Sequence, residues 1–199
     1  MRERVRWLRA IYLTVLSVLL TLPPLRSEQL RATLDPPKTI VLFTLSDVLH
    51  TVHGSFQLIE GHVSFDSATG AITGDLVVNA ASGNSGSAAR DKRMKRNILE
   101  TERYPEIRFR PTRFAGSVSA PGTSNVEVTG SFLIHGQAHE ITIPMQIQLS
   151  REEITATGKF IVPYVQWGMR NPSTFLLKVN DRVQIDFTAV GRVNGAHTP

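Results

Sequence analysis

From Thr39 to Val193 apolar and polar residues alternate with a period of two. Successive side chains leave a strand on opposite sides, so this is the pattern of strands with one buried face. Val126, Val128, Gly130, Phe132 and Ile134 alternate with Glu127, Thr129, Ser131, Leu133 and His135; Ile141, Ile143, Met145, Ile147 and Leu149 alternate with Thr142, Pro144, Gln146 and Gln148. The two runs predict a hairpin turning at Gly136-Gln137-Ala138. The same rule puts Ile72, Gly74, Leu76, Val78 and Ala80 on one face of a strand, Ile154, Ala156, Gly158, Phe160 and Val162 on one face of another, and Val183, Ile185, Phe187 and Ala189 in the last. Residues 39–45, 55–59, 62–65 and 107–114 bring the total to eight or nine strands. They follow one another without intervening helices, which predicts an all-β antiparallel barrel or sandwich.

One segment departs from this period. Residues 87–100 carry Met94, Ile98 and Leu99 on one side and Arg90, Lys92, Arg93, Lys95 and Arg96 around the rest, the pattern of one short amphipathic helix with Ser87 as its cap. Residues 112–124, rich in Ser, Gly and Pro, read as an exposed connection, and residues 194–199 as a flexible tail.

Residues 1–27 hold five arginines and one acid, so +4 of the formal net charge of +5 lies there. The remainder is nearly neutral, and the charge balance implies no nucleic-acid partner. The basic stretch ends at Arg9 and is followed by a 13-residue apolar and hydroxyl run from Ala10 to Leu22, closed by Pro23-Pro24. A spanning helix needs about 20 apolar residues, so the segment reads as an export signal, with a retained inner-membrane anchor as the alternative. The expected location of the domain is periplasmic or secreted. The chain has no cysteine, which removes disulfides, thiolate chemistry and cysteine-based zinc sites together. About 170 residues can form an adequate core without them.

The chemistry-bearing residues are few. His135 and His139 are four apart and His50 and His53 three apart, but the first pair straddles the proposed turn with no acidic partner in its motif, and His135 and His139 read as turn and cross-strand residues. Gly83-Asn84-Ser85-Gly86-Ser87 has the outline of a nucleophile elbow without its second glycine or its strand-to-helix setting, so it reads as a loop. With no phosphate cradle or paired carboxylates, neither an enzyme nor a bound metal or other cofactor is expected.

Four blocks set the chain apart by their order: His53-Gly54-Ser55-Phe56, Ser87-Ala88-Ala89-Arg90-Asp91, Tyr104-Pro105-Glu106-Ile107-Arg108-Phe109 and Ser131-Phe132-Leu133-Ile134-His135-Gly136. They resemble the YceI-like family over residues 33–193, and Tyr164-Val165-Gln166-Trp167-Gly168 before Asn171-Pro172-Ser173 resembles a variant of it. The resemblance implies a lipocalin-like antiparallel barrel of eight or nine strands, residues 28–193, that holds an isoprenoid or similar long-chain lipid in its apolar interior. The inward face then supplies the ligand lining: Phe43, Phe56, Phe65, Leu76, Val78, Phe109, Phe132, Ile134, Ile141, Ile143, Met145, Phe160, Val162 and Phe187. The alternative is a filled barrel serving as an adhesion or protein-interaction module. Arg90, Lys92, Arg93, Lys95 and Arg96 are candidate contacts for a lipid head group or an anionic membrane surface, and Arg90 with Asp91 for an ion pair tying the helix to the barrel.

Overall fold

The computed structural model describes residues 29–47, 50–66, 69–119, 121–175 and 178–195. Residues 1–27, read from the sequence as an export signal, lie outside them. Nine antiparallel strands form one sheet: β1 (Gln29–Leu34), β2 (Ile40–Ser46), β3 (Thr51–Asp66), β4 (Ile72–Asn84), β5 (Glu106–Ala115), β6 (Gly122–Ile134), β7 (Gln137–Leu149), β8 (Glu153–Val162) and β9 (Val183–Gly195). Running β3-β2-β9-β8-β7-β6-β5-β4, the order closes on itself through a second β3 edge paired with β4. Closure removes the unpaired strand edges that an open sheet exposes.

β1 and β2 occupy one position in this ring. Both lie between β3 and β9: Leu30 faces Phe65 and Gly195, while Val41 faces Phe56 and Phe187. The barrel therefore has eight staves, the first broken in two at Asp35. Pro36 and Pro37 cause the break, because neither can donate to a ladder, and the chain makes a single 3-10 turn over Pro36–Lys38. Thr39 repairs the seam: the Val190 amide donates to its hydroxyl at 3.3 Å, and the Asp35 amide donates to the Val190 carbonyl at 2.8 Å.

The strand count matches expectation, but its parts differ. Segments 55–59 and 62–65 are one long strand, β3, whose pairing with β4 slips between Ser55 and Gln57 and again between Leu58 and Glu60. Such bulges interrupt the alternation without ending the strand. β1 was not expected, and β9 runs to Gly195, so residues 194 and 195 belong to the sheet and not to a tail. The β6–β7 hairpin turns one residue earlier than its glycine suggests, on His135-Gly136, both at positive φ (51° and 74°). That is the conformation a two-residue hairpin requires.

The helical segment is also shorter and less regular than its periodicity predicts. Helix α1 (Ala88–Arg93) continues as one π-helical turn, Met94–Ile98. Ser87 stands at the capping position, but its side chain makes no capping bond.

Two buried clusters lie at opposite ends of the barrel. One contains Phe65, Ile72, Phe114, Val126, Leu149 and Ile154; the other contains Leu99, Phe132, Ile134, Val162, Tyr164 and Met169 on the side of α1.

Candidate functional site: an apolar cavity with a basic mouth

Between these clusters lies a cavity of about 790 Å³ with an almost wholly apolar lining. Alternation produces it: every second residue of eight staves points inward, and eight staves enclose just enough width for side chains or one ligand. Phenylalanines set its shape. Phe43 and Phe56 meet at 5.3 Å between ring centroids, Phe132 and Phe160 at 5.6 Å, and Phe160 and Phe187 at 6.4 Å. Glycine on a neighbouring strand lets some of these rings lie flat against the wall. Gly54 faces Phe43 and Gly158 faces Phe187; a Cβ on Gly158 would come within 2.6 Å of the Phe187 ring. The rings take up room that a methyl group would claim, and the inner space stays open.

Of the fourteen residues expected to form the lining, Phe43, Phe56, Phe65, Leu76, Val78, Phe109, Phe132, Ile134, Ile143, Met145, Phe160, Val162 and Phe187 do border the cavity. Ile141 does not; it packs into the cluster on the α1 side. Phe56, Leu76, Val78, Phe109, Met145, Phe160 and Phe187 are only half-buried although they point into a closed barrel. Their remaining exposure faces the cavity. Sequence reasoning omitted Val41 and Ile185, each two residues before a lining phenylalanine, so the alternation itself could have found them. It also omitted Tyr164, Met169, Pro172 and Val179, which come from an irregular segment with no period to read.

The end near the Phe65–Phe114 pair, an edge-to-face contact at 5.9 Å, is packed. At the other end the cavity is bordered by the polar residues Ser46, Asp47, Ser85, Ser87, Arg90 and Arg93, with Pro172 and Val179 beside them, and this is its mouth. Arg90 and Asp91 do not bond to each other as an isolated pair; both converge on Ser85. The Arg90 Nε donates to the Ser85 hydroxyl at 2.8 Å and its Nη2 to the Ser85 carbonyl at 2.9 Å, while Asp91 accepts from the Ser85 amide at 2.9 Å. The Ser85 hydroxyl bond holds the Asp91 carboxyl below its usual range, and the nearby Lys95 and Arg90 charges add to the effect. Of the five basic residues of this segment, Arg90 and Arg93 border the cavity, and Lys92, Lys95 and Arg96 do not.

The far side of the mouth comes from residues 163–175 and 178–182. The Tyr164 hydroxyl donates to the Asn180 carbonyl at 2.7 Å, and the Asn180 amide donates to the Ser46 carbonyl at 3.0 Å. Burial pushes the Tyr164 phenol up to about 12, with the Asp181 charge contributing. None of the described histidines borders the cavity. His135 occupies the turn with Tyr104 against its ring, and His139 stacks on Trp167 at 4.0 Å. Among the described residues no three metal-ligating side chains converge, and no helix is long and apolar enough to cross a membrane.

A closed barrel around an apolar cavity with one polar mouth defines a barrel of the kind that takes up small apolar ligands. A YceI-like domain matches residues 33–191, and the chain belongs to that family. Among solved structures, BcnA of Burkholderia cenocepacia superposes with a TM-score of 0.68 at 22% identity, covering 79% of this chain and 98% of that one. A polyisoprenoid-binding domain from Saccharophagus degradans, implicated in plant cell wall breakdown, gives 0.66 at 18% identity, covering 82% and 98%. The YceI protein of Campylobacter jejuni gives 0.51 at 14% identity, covering 65% and 78%. At these identities the likeness carries the fold. No curated protein gives a significant match.

Proposed function

We propose that this protein binds and shields or carries an isoprenoid or similar long-chain lipid in the barrel cavity and performs no chemistry of its own. The observation that carries the reading is the incomplete burial of inward-facing apolar side chains such as Val78, Phe109 and Phe160 around about 790 Å³ of space. A filled adhesion barrel would bury that face completely, since protein interiors pack like organic crystals. The family relationship and the polyisoprenoid-binding relative support the same ligand class. At about 30 Å³ per water-sized group, the cavity admits roughly 26 carbons, about five isoprene units. Transfer of that chain from water drives binding at about 25 cal/mol per Å² of apolar surface removed.

The domain works outside the cytoplasm in this reading, directed there by residues 1–27, with an uncleaved inner-membrane anchor as the second possibility. Native mass spectrometry of gently purified protein tests the binding: a co-purifying apolar ligand is expected. Ligand-free protein that also fails to take up prenyl chains from detergent would refute it. Fractionation tests the location, and an unprocessed soluble cytoplasmic chain would refute export.

A further inference from the structure

We propose that the cavity mouth docks on an anionic lipid bilayer, with Phe175 inserted at the acyl boundary and the cations of residues 88–98 against the head groups. Phe175 is 99% exposed. It lies on the mouth segment, between Pro172 and Val179, which both border the cavity. The chain on either side is fixed: Ser173 Oγ accepts from the Val179 amide at 2.8 Å, and Val179 bridges Asp47 next to β2. A phenyl ring held in water from an anchored base has no ring or core partner among the described residues, and an apolar phase is where it gains free energy.

Charge selects the surface that meets it. Across the mouth from this segment, residues 88–98 carry Arg90, Lys92, Arg93, Lys95 and Arg96 against the single acid Asp91, whose carboxylate is bonded to Ser85. Arg103, Arg170, Lys178 and Arg182 add to them against Glu100, Glu102 and Asp181, so cations still outnumber acids at this end among the described residues. Asp47 is the acid that borders the cavity at this rim. At the opposite end, residues 69–71 and 116–121 carry no charge, and residues 150–153 have one arginine and two glutamates. The barrel is thus polarised along its axis, and a negative surface turns its mouth inward. Basic residues beside an anionic leaflet and an apolar side chain at the same rim are the two elements of reversible interfacial binding. Docked this way, the mouth opens onto the phase from which a lipid would enter the cavity.

The absence of cysteine gives a direct test on the full chain. Phe175→Cys carrying a polarity-sensitive dye is compared with Ser117→Cys, labelled at the opposite end, in vesicles of phosphatidylglycerol and phosphatidylcholine and in vesicles of phosphatidylcholine alone. The label at position 175 should shift to the blue with anionic vesicles only, while that at 117 stays silent. Lys92→Glu, Arg93→Glu and Arg96→Glu together should weaken the response about 100-fold, and 1 M salt, with a screening length of about 3 Å, should weaken it similarly. Silence at 175, an equal shift at 117, or an equal shift in neutral vesicles would overturn the proposal. So would a response confined to an acidic protein surface. Docking does not depend on what the cavity holds, so its failure would leave the lipid-binding reading standing.

Discussion

Val78→Phe separates an open cavity from a filled core. Val78 is half-buried, borders the cavity, and pairs with Leu58 on β3 and Ile107 on β5. For a ligand of roughly 26 atoms, a bound of about 0.3 kcal/mol per atom limits the binding energy to about 8 kcal/mol, near micromolar. The substitution adds about four carbons, roughly 120 Å³ by the measure of about 30 Å³ per group, and removes room for a similar number in the ligand. The loss is about 1 kcal/mol, or five- to tenfold in affinity. Delipidated protein should change in stability by less than about 0.5 kcal/mol, because the ring enters empty space and disturbs no packed neighbour. In a filled core the same ring would overpack at about 1–3 kcal/mol. Titration with a fluorescent prenyl probe reads the first quantity, and urea unfolding of the delipidated protein reads the second. A variant destabilised by the overpacking amount, with probe affinity unchanged, would refute the argument.

Three further changes test the scaffold. Gly54→Ala puts a methyl group into the Phe43 ring and the Asn84 carbonyl and should cost about 1–3 kcal/mol; an unchanged urea midpoint would show that the ring is free to move. Tyr164→Phe removes the hydroxyl bond to Asn180 and should lower stability by about 1 kcal/mol in the same assay, with no loss meaning that water replaces the bond. Burial depresses the His139 imidazole below its ordinary 6.5, so the unfolded chain takes up that proton first; its contribution is complete above about pH 6.5 and is lost as the pH falls toward the lower folded value. His139→Phe, which keeps a ring over Trp167, should flatten urea midpoints measured between about pH 7 and 5, and an unchanged slope would place the pH dependence elsewhere.

The alternation of Val126 to Ile134 and Ile141 to Leu149 made the strands, their inward faces and most of the cavity lining legible in the sequence, because strand geometry is local and its period is fixed by the backbone. Residues 88–98 were likewise readable as a basic helical segment from their composition and spacing. Tertiary structure decided what local period cannot express. The bulges of β3 join two apparent strands, and pairing with both β3 and β9 makes a strand of residues 29–34 despite the prolines that follow. The convergence of Arg90 and Asp91 on Ser85 depends on how the loop after β4 folds back on the start of α1, while the membership of Tyr164, Met169 and Val179 in the mouth and the packing of Ile141 into a cluster depend on contacts between distant staves. The cavity itself belongs to this second group. An inward apolar residue has the same sequence signature whether it meets another side chain or empty space, and only the closure and width of the whole barrel distinguish the two.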